Sequence, residues 1–100
     1  MKIEELLRLM VEKKASDLHL RVWRPPTLRI DGNLKIVEGM PNITPADLRE
    51  ALEHVTNENQ RQIFHNEQEL DLAYSIRDVA RFRINAFVQR DTVSLAIRRV

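Results

Sequence analysis

Two arginines in the last quarter of the chain are the residues best placed to do chemistry. Residues 81–89 and 92–98 both alternate along the chain, a pattern typical of β-strands with one buried face. If Arg90 and Asp91 close them as a two-residue hairpin, Arg83 lies directly opposite Arg98. Like charges in that position destabilise a sheet. The pair therefore indicates an anion, and the planar fork of arginine suits bidentate contact with phosphate.

Arg81 shares the face of Arg83 and is a weaker candidate for the same contact. The alternative is a solvated face on which the arginines splay apart and pair with Asp71 or another acid. If the apolar residues of the run 70–76 are to stay on the buried face, the turn that follows Ile76 must contain an odd number of residues, about three or five. Arg83 then faces Ala73 or Ser75, with Asp71 only diagonally away. The pattern leaves both interpretations open.

Other catalytic and ligand-binding chemistry finds little support. The absence of cysteine excludes disulfides, thiolate catalysis and cysteine-ligated zinc. His19, His54 and His65 have no metal-ligand spacing, so surface positions are expected. The only glycines, Gly32 and Gly39, cannot form a glycine-rich phosphate loop. Any phosphate that the arginines contact must therefore be held by another domain.

Length and composition are those of one globular domain. The 100 residues are 43% hydrophobic and 31% charged, which allows a core without disulfides or metal. A formal net charge of +1 gives no support to nucleic-acid binding. The charged N-terminus is unlike a signal peptide, and no apolar run reaches membrane-spanning length. The chain ends in a strand-like run, which predicts a fragment excised from a longer protein.

Three helices are predicted from apolar periodicity and capping residues. The first begins near residue 3, with Lys13 and Lys14 in its last turn, where they complement the helix dipole. The second has Thr44 as its N-cap and Pro45 as its first residue. Thr56 is expected to cap a short third helix.

Six strands complete the prediction. The first four cover residues 17–22, 27–30, 33–37 and 70–76, and Asp31-Gly32 predicts a tight hairpin between the second and third. Trp23, just before Pro25-Pro26, is interpreted as a lid over the end of the core rather than an exposed recognition tip. The order α-β-β-β-α-α-β-β-β predicts an α+β fold, a mostly antiparallel sheet with helices on one side.

Several short motifs resemble the N-terminal domain of the PilT-type pilus retraction ATPases, which belong to the secretion superfamily ATPases. These motifs, in order along residues 1–100, are Ala15-Ser16-Asp17-Leu18-His19-Leu20, Pro25-Pro26, Arg29-Ile30-Asp31-Gly32, Glu69 with Asp71, Tyr74-Ser75-Ile76, and Ala80-Arg81-Phe82-Arg83-Ile84-Asn85-Ala86-Phe87. Two departures stand out. Trp23-Arg24 precedes the proline pair where relatives often have a glycine, and the hairpin turn is Arg90-Asp91 where relatives often have Arg-Gly.

The resemblance implies that residues 1–100 are a PAS-like, nucleotide-sensing domain that precedes a RecA-like ATPase domain. It further implies that Arg83 and Arg98, and more weakly Arg81, reach the phosphates of ATP held with Mg by that second domain. The chain alone is expected to bind no cofactor and to hydrolyse no ATP. The full-length protein is implied to be a homo-hexamer that retracts type IV pili for twitching motility and transmits ATP state as domain motion. Its implied location is the cytoplasmic side of the inner membrane, with a pilus platform protein as partner and no nucleic acid.

Three other functions remain open at this stage. The chain could be a PAS-like sensor of small molecules, or the equivalent domain of a type II secretion or pilus assembly ATPase. It could also serve only to build the ring, in which case mutation of the arginines would disturb assembly rather than turnover.

Overall fold

A six-stranded antiparallel sheet forms the centre of the computed structural model, which describes all 100 residues. The elements in chain order are α1 (Ile3–Glu12), β1 (Asp17–Leu20), β2 (Thr27–Ile30), β3 (Asn33–Ile36), α2 (Pro45–Val55), α3 (Glu58–Glu67), β4 (Glu69–Ile76), β5 (Ala80–Gln89) and β6 (Thr92–Arg99). The α+β class and the order of the elements are confirmed.

Two three-stranded units make up the sheet, whose order is β3-β2-β1-β6-β5-β4. Within each unit, strands that are consecutive in the chain pair with each other. The two units join where β1 pairs with β6, with Leu18 opposite Ile97. This junction brings together residues about eighty positions apart, and it places β1 beside the strand that carries Arg98.

The two faces of the sheet differ in what covers them. On the core face, alternate strand residues such as Leu18, Leu72 and Ile84 are buried against the apolar stripes of the helices. The other face, called the open face below, carries Asp17, Arg29, Arg83 and Arg98 and has no helix over it. Burial of a leucine side chain stabilises a fold by about 1.5–3 kcal/mol, so the core face supplies most of the driving force.

Capping fixes the start of α2 as the sequence predicts. The Thr44 hydroxyl accepts a hydrogen bond from the Asp47 backbone N–H at 3.2 Å, and the Asp47 carboxylate accepts one from the Thr44 backbone N–H at 2.9 Å. This reciprocal arrangement satisfies two backbone donors that a helix start leaves unpaired. Pro45 stands at the first helical position.

The predicted cap of α3 is wrong by one residue. Asn57, not Thr56, is the N-cap, and it exchanges hydrogen bonds with Gln60. The Thr56 hydroxyl instead donates to the carbonyl oxygen of Leu52 at 2.6 Å. Thr56 therefore ends α2, because its hydroxyl is already bonded within that helix.

Two other elements, α1 and β1, end earlier than predicted. Helix α1 ends at Glu12, and Lys14 has a left-handed φ of 57°, so neither Lys13 nor Lys14 lies in the last helical turn. Strand β1 ends at Leu20, and Val22 forms an isolated parallel bridge to Ile43. The backbone leaves the sheet here because it turns toward the loop before α2.

Trp23 is not a lid over the core. Trp23 is 64% exposed, and its φ is 64°. Buried Ile43 and Pro26 fill this end of the core instead. The left-handed backbone at Trp23 turns the indole outward, an orientation that hydrophobicity alone does not predict.

Candidate functional site

The hairpin of β5 and β6 closes through Arg90 and Asp91, as predicted. Both residues have positive φ, 52° and 62°, the combination found in type I′ turns, whose twist matches that of paired strands. Counting back from this turn, Arg83 lies opposite Arg98. The predicted register of the two arginines is therefore confirmed.

A row of four charged residues crosses the open face at this point. Arg98 lies opposite Asp17 of β1, and Asp17 lies opposite Arg29 of β2. Asp17 Oδ1 is 3.3 Å from Nε of Arg98, and Asp17 Oδ2 is 3.9 Å from Nε of Arg29. The order across the sheet is Arg29, Asp17, Arg98 and Arg83, so one carboxylate stands among three guanidinium groups.

Asp17 is the most protected member of this row. Its side chain is 14% exposed, compared with 74% for Arg98. Burial opposes ionisation, but hydrogen bonds from the Ser16 hydroxyl and from Arg98, with the charge of Arg98, lower the pKa of Asp17 below its ordinary value of 3.8. Asp17 is therefore a fixed anion at neutral pH and the main internal partner of Arg98.

Arg83 has no comparable partner. It is exposed, with Ala73 opposite it on β4 and Arg98 opposite it on β6. It makes no ion pair within the chain. Arg81, opposite Ser75, also lacks an ion pair. Arg83 and Arg81 are thus cations of the open face whose charges the fold leaves available to an external anion.

The proposed pairing of the arginines with Asp71 does not occur. The turn after β4 has three residues, which places Ala73 opposite Arg83 as predicted. The Asp71 carboxylate instead accepts a hydrogen bond from the Asn85 side chain at 3.1 Å. The alternative interpretation, that the arginines pair with an acid of the sheet, is correct for Arg98. The acid is Asp17, which also pairs with Arg29.

Asp17 was missed as part of the site because its placement depends on a non-local pairing. Residues 17 and 98 meet only when β1 pairs with β6, and no turn between these strands fixes their register. A signal was present in retrospect, since Asp17 alternates with Leu18 and Leu20 and must lie on the polar face of its strand.

A second polar cluster lies near the core face, where α1, α2 and β4 meet. Glu4 Oε2 is 2.8 Å from Nε2 of His54 and accepts a hydrogen bond from the Tyr74 hydroxyl at 2.7 Å. These two hydrogen bonds lower the pKa of Glu4. Burial and the hydrogen bond to Glu4 raise the pKa of Tyr74 to about 12. The cluster ties two helices to the sheet.

The remaining surface offers no metal centre and no membrane helix. No group of three or more histidine, aspartate or glutamate side chains is arranged to hold a metal ion. None of the three helices is long and apolar enough to cross a membrane. The row of Arg29, Asp17, Arg98 and Arg83, called the arginine row below, is therefore the main candidate site of the open face.

Comparison with known proteins points to one family, although no family model matches the chain. The chain is 41% identical over 100 residues to the type IV pilus ATPase PilU of Pseudomonas aeruginosa and covers 26% of that protein. It is 33% identical over 100 residues to the type IV pilus retraction ATPase PilT of the same organism and covers 29% of it. The chain thus spans under a third of the length of these relatives.

The fold is also that of a solved relative. The structure superposes on the pilus retraction motor PilT with bound ADP with a TM-score of 0.90 and 38% identity, over 98% of this chain and 29% of that one. The ATPase DotB of Legionella pneumophila gives a TM-score of 0.82 at 16% identity, over 98% of this chain and 28% of that one. At that identity the second match shows a shared fold alone.

Proposed function

We propose that this chain, which belongs to the PilT-type ATPases and corresponds to their N-terminal domain, supplies arginines to a nucleotide held by another domain. Arg83 and Arg98 would contact the phosphates of ATP, and Arg81 would add a weaker contact on the same face. The chain itself has no phosphate loop, so the RecA-like domain of the same or a neighbouring subunit would hold ATP and Mg. This chain alone would not hydrolyse ATP.

The observation that carries the proposal is the unequal pairing of the two arginines. Arg98 and Arg83 lie opposite each other, yet only Arg98 pairs with Asp17, an acid that Arg98 shares with Arg29. Three cations with one internal anion attract a further anion, and a phosphate group can accept two parallel N–H bonds from a guanidinium. Contact with the phosphate would relieve the repulsion that the hairpin register imposes.

Asp17 would give this contact a defined geometry. Held by Asp17 from one side, Arg98 keeps its guanidinium over the sheet while most of it stays exposed. Such restraint lowers the entropy lost when the arginine binds phosphate. The Arg83 side chain, which no acid holds, would move from its solvent-exposed position into contact with the phosphate. Loss of the terminal phosphate would release both arginines, so the domain could transmit ATP state as rigid-body motion.

For the full-length protein, we propose a hexameric, ATP-hydrolysing motor of type IV pilus retraction that supports twitching motility. It would act in the cytoplasm, peripheral to the inner membrane, with the pilus platform protein as partner. The support is the similarity to PilU and PilT, whose names describe type IV pilus ATPases.

The test is ATP turnover by the full-length protein with Arg83→Ala or Arg98→Ala. Each change should lower turnover by about 10³-fold or more, the range found for arginines that clamp a transferring phosphate. The control is Arg99→Ala, which removes another exposed arginine one residue away on the opposite face and should leave turnover unchanged. Near-parental turnover in both test variants would exclude the proposed role. Loss of hexamer in those variants, measured by light scattering, would assign the arginines to assembly instead.

A small-molecule sensor finds no support in the core. Every buried side-chain nitrogen or oxygen already has a hydrogen-bond partner, so no polar group is left to orient a ligand there. The equivalent domain of an assembly ATPase shares the proposed arginine chemistry. Restoration of twitching, rather than of piliation, in a strain lacking its own retraction ATPase would separate retraction from assembly.

A further inference from the structure

A second cationic surface lies at the other end of β1 and β6 from the arginine row. The loop after β1 and the β5–β6 turn enclose an open groove of about 480 Å³. Its charged lining residues are all arginines, Arg21, Arg24 and Arg90, and Trp23 provides an aromatic wall. We call these four residues the basic groove. Arg21 follows Asp17 by four positions, a separation of about 13 Å along an extended strand.

The basic groove is continuous with a smaller one that has the same sign of charge. Arg21 and Arg24 line both, and the smaller groove adds His19 and Arg29. No aspartate or glutamate lines either groove. Apart from Arg29, which pairs with Asp17, the arginines of the two grooves have no ion pair, and such a strip favours a ligand that brings several negative charges.

Backbone hydrogen bonds hold the loop of the basic groove in place. The Trp23 N–H donates to the carbonyl oxygen of Ile43 at 2.6 Å, and the Ile43 N–H donates to the carbonyl oxygen of Arg24 at 2.8 Å. Ile43 is buried, so both anchors belong to the core. On the other wall, Arg21 donates to the Gln89 side chain at 2.9 Å. The groove is thus ordered before any ligand arrives, which lowers the cost of binding.

Trp23 has a conformation that core packing does not explain. Its φ of 64° lies in the left-handed region, where a bulky side chain is unfavourable and glycine is the usual residue. Trp23 is 64% exposed and is not part of the buried core. Exposed tryptophan flanked by arginines is the composition typical of the residues that dominate protein–protein binding energy.

We propose that the basic groove binds an acidic segment of a partner protein, with aspartate and glutamate side chains on the arginines and an apolar side chain against Trp23. Arginine forms bidentate pairs with carboxylates, and the indole supplies the apolar contact that a free phosphate would not use. Single-stranded nucleic acid usually stacks on several aromatic side chains, whereas the groove has one. The proposal is independent of Arg83 and Arg98.

The chain's only tryptophan makes the first test direct. The probe is an acetylated hexapeptide of aspartate and glutamate around one leucine, without aromatic residues. Titration at about 0.15 M salt should shift the Trp23 emission to the blue and saturate. A matched peptide with asparagine and glutamine in place of the acids should cause no shift. Equal shifts with both peptides, or no shift with either, would overturn the proposal.

Variants then separate the groove from the rest of the surface, with a fluorescein-labelled form of the acidic peptide and anisotropy as the readout. Arg24→Glu should weaken binding at least about tenfold, and Trp23→Gly about thirtyfold, the loss expected for a dominant interface residue. Trp23→Gly should not lower the Tm, because glycine adopts a positive φ readily. Arg77→Glu, in the exposed β4–β5 turn, is the charge-matched control and should bind like the parent.

Three outcomes would refute the proposed occupant. Unchanged peptide binding by Trp23→Gly would remove the groove from the interaction. Loss of binding in Arg83→Ala, with Arg24→Glu unaffected, would move it to the arginine row. Binding of phosphatidylserine vesicles or an oligothymidylate that depends on Trp23, without binding of the peptide, would assign the groove to a membrane or to nucleic acid.

Discussion

The two faces of the sheet differ in how their charged side chains are paired. Near the core face, Glu4 Oε2 is bonded to both His54 and Tyr74. On the open face, Arg83 has no anion, and Asp17 is shared between two arginines. Polar groups near a core must be paired because leaving them unpaired is costly, whereas exposed cations are tolerated because water solvates them. An unpaired cation such as Arg83 can therefore remain on the open face and be available for function.

The largest difference in the free energy of unfolding should appear between substitutions at two neighbouring residues of β5. Phe82 is fully buried and Arg83 is exposed. Phe82→Ala should lower the free energy of unfolding by about 3–5 kcal/mol, because it removes apolar contacts and leaves a cavity. Arg83→Ala should change it by less than about 0.5 kcal/mol. Urea denaturation of both variants checks the pair, and comparable losses would mean that the open face is also structural.

A smaller effect is expected at Asp17, the one acid of the arginine row. Asp17→Asn should cost about 1 kcal/mol at pH 7, because it leaves Arg98 and Arg29 without their anion. The folded pKa of Asp17 is lowered, so its contribution is present above the ordinary value of 3.8 and is lost as pH falls through the folded pKa. The parent and the variant should therefore converge in stability once the pH falls below the folded pKa of Asp17. A constant difference from pH 7 to pH 2 would show that the carboxylate charge is not responsible.

The cluster of Glu4, His54 and Tyr74 should contribute less to the free energy of unfolding than Asp17 does, and its contribution should be lost at high pH rather than at low pH. Tyr74→Phe should cost about 0.5–1 kcal/mol, since it removes one hydrogen bond to a partly exposed acid. Because the pKa of Tyr74 is raised to about 12, its contribution is complete below the unfolded value near 10 and is lost as pH rises through 12.

Absorbance titration can follow this group alone, since Tyr74 is the only tyrosine. Glu4→Gln should lower the pKa of Tyr74 by removing the nearby negative charge, although burial will keep it above the ordinary value. A pKa of Tyr74 that is unchanged by Glu4→Gln would contradict the contact.

The smallest effect concerns the repulsion between Arg83 and Arg98. Arg83→Gln should raise the free energy of unfolding by a few tenths of a kcal/mol at low salt, because it removes a like-charge cross-strand pair. The gain should vanish near 1 M salt, where the screening length falls to about 3 Å. Chemical denaturation with urea, which is uncharged, at both salt concentrations measures it. A gain that persists in high salt would point to strand propensity rather than charge.

Local features of the fold were predictable from sequence because their causes are local. The Thr44 cap, the Asp31-Gly32 and Arg90-Asp91 hairpins and the three-residue turn after β4 each depend on side chains within a few positions of one another. Thr56 and Asn57 are both good capping residues, and only the bond from Thr56 to the end of α2 decided between them. Trp23 was misplaced because hydrophobicity predicts burial, whereas a left-handed backbone turned the side chain outward.

The sequence by itself determined that Arg83 and Arg98 lie opposite each other, because a tight turn and a period of two leave one register. It also determined that the chain has no phosphate loop, since that loop needs glycines in series. Only the tertiary structure decided which arginine is compensated. Asp17 reaches Arg98 through the pairing of β1 with β6, strands at opposite ends of the chain, and no local rule links them. That non-local pairing made the two arginines unequal and left Arg83 without an internal anion.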